Sequence, residues 1–556
     1  MHRNIPAFEN NEFDIVVIGG GITGACIAAD ASARGLNVAL IERADFAAAT
    51  SSASSKVLHG GIRYLQQGRI DKVRESALER VYFQRLAPHL TRYVPFLVPT
   101  YTNWRKSKLI MVAGMSAYQA ICFGQNKLIQ DPNKKVPGWE SLSKNEVNDR
   151  IPGFRETGLT GGVMFYESHM HNSERMVLAF LDHAHQMGSV IANYVEATGF
   201  IYENKRVCGV KCVDLETQNN FEIRSKIVVN ASGPWIPGLN KSLDNNSLTG
   251  VVTGYSKGAH ILTEQLTKDC AIALPTNKQS EAVLSRGGRH VFIIPWRGHS
   301  LIGTTYTPYK EKLENVAPTE DDIQELIADI NNAFGGEKLK RNQVKFSYAG
   351  IYPLVTDSIN PNLYQGTGDY RIVNHAKEDG MPGLISAFGA KFTTARLLAE
   401  KTLDEIGRGE LKMKAGSPLR EIALTSGKID NIKTFTEEKK LQFKELFDAH
   451  TTEHLVTNYG TAVDEIALLV QDNPELRSKI SNNHDTIHAE ILYSINKEMA
   501  LHLEDAIFRR TGMGTLGQLS KEALLACANL MAGELGWDNT RIETEVTRVE
   551  NRYTYQ

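Results

Sequence analysis

Gly19-Gly20-Gly21-Ile22-Thr23-Gly24 sets three glycines in the spacing G-x-G-x-x-G directly after a short apolar run, FDIVVI, at positions 13–18. A nearly continuous apolar run of that length is the pattern of a strand buried on both faces of a parallel sheet. A helical pattern follows through Ala25 to Ala33 and closes at Arg34-Gly35, and a second strand from Asn37 to Ile41 ends on Glu42. Strand, glycine turn, helix, strand and acid, in that order and at about 20 residues from glycines to acid, make a βαβ dinucleotide-binding unit. The glycines let the backbone approach a pyrophosphate, and the helix N-terminus attracts its charge. Glu42 is placed to accept hydrogen bonds from ribose hydroxyls and disfavours a phosphorylated ribose, so FAD or NAD is expected rather than NADP.

A second chemical stretch follows. Thr50-Ser51-Ser52-Ala53-Ser54-Ser55-Lys56 runs into Val57-Leu58-His59-Gly60-Gly61-Ile62-Arg63-Tyr64-Leu65. Small hydroxyl residues and glycines allow close approach to a bulky planar ligand and supply donors to it. Strand-to-turn patterns recur far downstream, at Lys226 to Trp235 through Ala231-Ser232-Gly233, and at Gly383 to Arg396 through Gly389-Ala390-Lys391-Phe392-Thr393. Three such strand ends can converge on the carboxyl edge of one sheet, where open α/β sheets bind ligands.

These elements sit in a chain of 556 residues, long enough for three or four structural units. With 62 Lys+Arg against 64 Asp+Glu, the net charge of -2 argues against nucleic acid as a partner. Mean hydropathy is -0.28, and no apolar run approaches the roughly 20 residues needed to cross a bilayer. The six cysteines are scattered; the one close pair, Cys208 and Cys212, reads as strand residues, and no metal site is expected. The N-terminal residues lack a signal-peptide core, so a reducing cytoplasmic setting is expected.

Six motifs carry a resemblance: IGGGITGACIAADASARGL (18–36), TSSASSKVLHGGIRYL (50–65), NASGPW (230–235), KGAHI (257–261), FIIPWRGHSLIGTT (292–305) and FGAKFTTARLLAE (388–400). Together with HLVTNYG (454–460), the run at 491–514 and MAGELGW (531–537), they resemble the FAD-dependent glycerol-3-phosphate dehydrogenase family over essentially the whole chain. The resemblance implies an α/β fold, α+β overall. A Rossmann-like FAD-binding domain (1–85, 161–240, 356–407) would interleave with a substrate insertion (86–160) and a mixed-sheet substrate domain (241–355). A linker (408–430) and an all-helical C-terminal domain (431–556) would follow. Strand-like runs at 189–213 and 285–305 are expected in the substrate sheet.

The resemblance implies oxidation of a secondary alcohol to a ketone, with hydride passing to the flavin and electrons leaving to a quinone or to oxygen. Its FAD set maps onto Gly19, Gly21, Thr23, Gly24, Glu42, Arg43, Thr50, Ser51, Ser52, Ser54, Ser55, Lys56, His59, Gly60, Gly61, Val195, Ala231, Ser232, Gly233, Trp235, Gly389, Lys391, Phe392 and Thr393. Arg63 and Tyr64 would grip the substrate, His260 would take the hydroxyl proton, and Lys391 would stabilise the reduced flavin. His59 is expected as a flavin contact.

Three positions depart from the family: Tyr352 and Gly368 stand where arginines are usual, and Tyr306 replaces an acid. Two guanidiniums that would clamp a phosphate are thereby missing; Arg371 or Arg297 are the substitutes the sequence offers. The competing expectation is a homologue with a changed substrate, such as a phosphodiester or nucleotide-activated glycerol, a polyol or a hydroxylated metabolite, with Tyr352, Tyr306 and Gly368 shaping its pocket. The basic-then-apolar run at 104–112 suggests peripheral contact with the inner face of a membrane, set against simple packing on its own domain. A homodimer is left open.

Overall fold

The computed structural model describes residues 1–103, 107–154, 157–243, 248, 252, 254–275, 290–354 and 369–553. Two sheets organise it. The first runs in the order Tyr370–Asn374, Leu384–Gly389, Asn220–Asn230, Phe13–Ile18, Val38–Ile41, Val190–Ala192. All its neighbours are parallel except the edge strand Tyr370–Asn374. The carboxyl ends of Phe13–Ile18, Asn220–Asn230 and Leu384–Gly389 therefore lie side by side, and the three expected turns meet at one edge. The helix Ile22–Ala33 packs close because its buried face is small: Ala25, Ala28, Ala29 and Ala31 are inaccessible. Gly24 completes that fit, since a Cβ there would stand 1.9 Å from the Gly19 carbonyl oxygen.

The second sheet runs in the order Thr307–Pro308, Gly254–Glu264, His299–Gly303, His290–Trp296, Ala271–Pro275, Thr91–Tyr101, Leu159–Met170, Val57–Leu58, with Val344–Leu354 antiparallel to Gly254–Glu264. The helix Glu320–Phe334 covers it through Ile323, Leu326 and Ile330, which pack with Ile261, Ile272 and Ile302. That helix is capped by Thr319, in a capping box with Asp322.

Three sequence expectations change. Of the run 189–213, Val190–Ala192 extends the first sheet, while Val195–Glu203 and Arg206–Asp214 form an antiparallel ribbon on the outer half of Asn220–Asn230; none of it joins the substrate sheet. The unit boundary drawn at 160/161 cuts the strand Leu159–Met170, which pairs along its length with Thr91–Tyr101 and belongs wholly to the second sheet. The stretch 408–430 is a packed strap rather than a linker: Leu419 and Leu424 are buried in the core of the first sheet, and Leu424 N–H donates to the Leu86 carbonyl. Residues 104–106 lie outside the described residues; the apolar continuation forms the helix Lys108–Ile121.

The C-terminal part is helical, from Ile432–Gln442 to Asn539–Asn551. Among its ties to the first sheet is a buried carboxylate. Asp45, three residues past Glu42, accepts from Arg510 Nη1 at 2.6 Å and Nη2 at 2.7 Å and also pairs with Arg509. Those guanidiniums hold the Asp45 carboxyl well below the usual carboxylate range despite complete burial. Arg510→Ala leaves part of a buried charge uncompensated and is expected to cost about 3–5 kcal/mol, measured by denaturant unfolding of the full chain.

Candidate active site

The two sheets face each other across a cavity of about 1420 Å³, floored by the carboxyl edge of the first sheet. At its floor the backbone turns at Gly19, whose φ of 112° and 2.7 Å approach of a would-be Cβ to Ala231 O both require glycine. The helix Ile22–Ala33 has no side-chain cap from the turn; its Ile22 N–H donates instead to Ser51 Oγ at 3.0 Å. The hydroxyl-rich loop is thus pinned over a helix end that favours anions. Glu42 turns back under the same turn, accepting from Gly20 N–H at 2.7 Å and Ala44 N–H at 2.8 Å. Burial pushes its carboxyl up, and these two donors oppose that. Arg43 lies 4.5 Å over the Trp235 ring, and both hold Glu314, Arg43 at 3.1 Å and Trp235 Nε1 at 2.8 Å. Glu314 has no motif around it, so the sequence offered no signal for this cavity-lining group.

Of the expected cofactor residues, Gly19, Gly21, Thr23, Glu42, Arg43, Thr50, Ser51, Ser52, Ser54, Ser55, His59, Gly61, Val195, Ala231, Ser232, Gly233, Trp235, Gly389, Lys391, Phe392 and Thr393 line the cavity. Gly24, Lys56 and Gly60 do not. Gly24 serves helix packing. Lys56 is turned away and buried: its ammonium meets Glu174 at 2.9 Å, Ser173 Oγ at 3.0 Å and Ser52 O at 3.0 Å, tying the hydroxyl-rich loop to the helix Ser173–Gln186. At Gly60 a Cβ would lie 2.1 Å from Tyr118 Oη.

At the other end, Arg63 and Tyr64 share the one-turn helix Ile62–Leu65, and both line the cavity with Lys391, Tyr306 and Tyr352. Gly368 lies outside the described residues. Arg371 and Arg297 are not in the cavity wall: Arg371 pairs with Glu378, and Arg297 donates to the carbonyls of Thr511 and Gly512. Lys391 Nζ sits 3.7 Å from the centre of the Tyr64 ring with no hydrogen-bond partner among the described residues, and burial lowers it to about 7. An anion bound beside Lys391 must raise that value again. Binding of a phosphate ester at pH 8 is therefore expected to take up a proton, read by calorimetry in buffers of different ionisation enthalpy. The uptake should vanish in Lys391→Arg.

Both histidines named by the sequence line the cavity, in different surroundings. His260 is 4% exposed, stacked on Tyr348 at 5.1 Å, and its ring presses on Gly303, where a Cβ would be 2.1 Å away. Among the described residues neither ring nitrogen has a hydrogen-bond partner, and burial, with Lys56 nearby, lowers it to about 3. It is a closely packed, neutral part of the cavity wall. His59 has 42% of its side chain open to the cavity, and its backbone N–H donates to Thr393 Oγ1 at 3.1 Å. The surrounding protein desolvates it and, with Lys391, Arg80 and Arg63, lowers it to about 4, so it is neutral near pH 7. Glu167, which no sequence motif marked, also lines the cavity 4.0 Å from His59 Nδ1.

A glycine cradle, an acid at the second strand's end and a cavity holding Lys, Arg and an open His define a dinucleotide-dependent oxidoreductase. The chain belongs to the FAD dependent oxidoreductase family, whose model matches residues 14–401. A second model, the C-terminal domain of alpha-glycerophosphate oxidase, matches 425–542. It is 30% identical to a glycerol-3-phosphate dehydrogenase of Synechocystis sp., over 98% of this chain and 97% of that one. It is 31% identical to an aerobic glycerol-3-phosphate dehydrogenase of Staphylococcus aureus, over 98% and 94%. The FAD complex of the glycerol-3-phosphate dehydrogenase from Bacillus halodurans superposes with a TM-score of 0.76 at 26% identity, covering 99% of this chain and 96% of that one. The cradle and the unpartnered Lys391 ammonium fit that cofactor.

Proposed function

We propose that this enzyme oxidises the secondary alcohol of glycerol 3-phosphate to the ketone. The observation that carries the reading is the convergence of Arg63, Lys391 and the open face of His59 on one cavity, in a chain similar over nearly its whole length to glycerol-3-phosphate dehydrogenases. When bound, FAD supplies the acceptor for the hydride. The glycine turn, the helix end and Ser51 would hold its pyrophosphate, and Glu42 would hold its ribose. Arg63 offers a fork to the phosphate group, Lys391 supplies positive charge near the reacting end, and His59 takes the hydroxyl proton.

Tyr352 and Tyr306 favour the second reading, a glycerol-type substrate without a free phosphomonoester, because both line the cavity where the family's charged groups are expected. The two readings separate by anaerobic bleaching of the bound flavin with glycerol 3-phosphate, a glycerophosphodiester and glycerol in parallel. Bleaching fastest with the phosphomonoester supports the first; bleaching by the diester or glycerol alone supports the second. Under the first reading, Tyr352→Arg adds a charge-assisted bond of about 1.5–3 kcal/mol and lowers KM for glycerol 3-phosphate roughly tenfold or more.

The electron acceptor is proposed to be a quinone, with oxygen the alternative. Support comes from the amphipathic helix Lys108–Ile121 beside the cavity, where Leu109 is 81% exposed and Met111 lines the cavity wall, and from Phe123, just past its end and 76% exposed. No described helix is long and apolar enough to cross a membrane. Leu109→Glu/Phe123→Glu is expected to abolish sedimentation with phospholipid vesicles while leaving bleaching by substrate unchanged.

A further inference from the structure

Glu167 stands on the strand Leu159–Met170 and is 1% exposed. Its Oε2 accepts from the Gly60 N–H at 2.6 Å and from Arg80 Nη1 at 2.9 Å. Arg80 also donates to Tyr166 O at 2.8 Å and to Gln125 Oε1 at 3.0 Å, so guanidinium and carboxylate are both immobilised. The Gly60 carbonyl accepts from Tyr118 Oη at 3.0 Å, and the His59 N–H is held by Thr393. The backbone carrying His59 is thus gripped from three elements, and the remaining carboxylate oxygen, Oε1, faces His59 Nδ1 at 4.0 Å.

The charged and titratable groups around the imidazole are Arg63, Arg80, Lys391, His169 and Glu167. Arg63, Arg80 and Lys391 are or become cations, burial keeps His169 neutral, and Glu167 is the anion among them. An imidazolium formed there without it would stand against uncompensated positive charge.

We propose that Glu167 is a positioning residue for His59: it draws the Nδ1–H toward Oε1, fixes the tautomer whose Nε2 accepts the substrate hydroxyl proton, and balances the imidazolium that results. This rests on the reading of His59 as proton acceptor. In the step, the substrate O–H bond breaks and Nε2–H forms; the carbinol C–H bond breaks with its electron pair passing to the bound FAD, and the C=O bond forms. Nδ1–H stays on the ring throughout. Two neutral tautomers of a histidine are distinguished by what the other nitrogen meets, and a carboxylate is the usual means of choosing between them.

The test uses holoenzyme in two readouts: anaerobic stopped-flow reduction of the flavin by glycerol 3-phosphate across pH, and the pH dependence of His59 modification by diethyl pyrocarbonate, followed by peptide mass spectrometry. Glu167→Gln keeps an acceptor for Gly60 but removes the charge. It should slow reduction about tenfold, less than loss of the base itself. The acid limb of the profile and the His59 modification curve should both move to lower pH. Glu167→Asp should recover part of both. In a His59→Asn background, Glu167→Gln should slow reduction no further. Equal slowing in both backgrounds, or an unmoved modification curve, would overturn the proposal. If Glu167→Gln does not accumulate as folded protein, Glu167→Asp is read against wild type in the same two assays with the same signs. If glycerol 3-phosphate does not bleach wild-type flavin, the functional reading fails, while the modification curves still decide the role of Glu167.

Discussion

Replacing His59 by asparagine is expected to slow flavin reduction by glycerol 3-phosphate about 10²–10⁴-fold, with FAD content unchanged. Removal of the hydroxyl proton must accompany departure of the hydride, because a protonated ketone is a poor leaving product. His59 has 42% of its side chain exposed, whereas His260, which also lines the cavity, is 4% exposed and stacked on Tyr348 against Gly303. The pH profile carries the same claim. The charged form of His59 is disfavoured by burial and by three neighbouring cations, so its acid limb in the ligand-free site falls near pH 4. Neutral His59 predominates above that limb, and the rate should be lost as pH drops through it; the limb should be absent in His59→Asn. His260→Asn should leave this limb in place, since His260 is not asked to change protonation.

Arg63→Ala is expected to raise KM for glycerol 3-phosphate by roughly a hundredfold, with a smaller change in the rate of flavin reduction at saturation. A bidentate guanidinium makes two charge-assisted bonds worth about 1.5–3 kcal/mol each, and loss of about 3 kcal/mol is roughly two powers of ten. The effect should be large here because the other arginines the sequence offered are engaged elsewhere, Arg297 on the carbonyls of Thr511 and Gly512 and Arg371 at Glu378. Arg63→Lys should recover only part of the loss, because an ammonium lacks the fork. If KM moves less than threefold in Arg63→Ala, the phosphate is held by other groups.

The dinucleotide unit was legible because its signals are local: FDIVVI, the glycine spacing and Glu42 each act within about 30 residues, and strand and helix periods are set by nearest neighbours. Partner choice was not. The runs at 189–213 and 285–305 look alike as apolar strands, yet the first extends the nucleotide sheet, and the described part of the second, from His290, joins the substrate sheet. Alternation of side chains says that a face is buried, not what buries it. Lys56 shows the same limit at a single residue. In a serine-rich loop it reads as a ligand contact, but its partner Glu174 lies 118 positions away and draws the ammonium into the core. The same holds for the histidines: sequence supplied both imidazoles, while only tertiary packing shows that His260 is 4% exposed and His59 has 42% of its side chain exposed.

The central claim is that this cavity oxidises a glycerol phosphate at its secondary carbon, and the most direct test is a single anaerobic turnover of holoenzyme with glycerol 3-phosphate deuterated at that carbon. The account predicts complete bleaching of the flavin, one ketone formed per flavin, and slower bleaching with the deuterated than with the unlabelled substrate. No bleaching by glycerol 3-phosphate, or bleaching by unphosphorylated glycerol at the same rate and concentration, would contradict it.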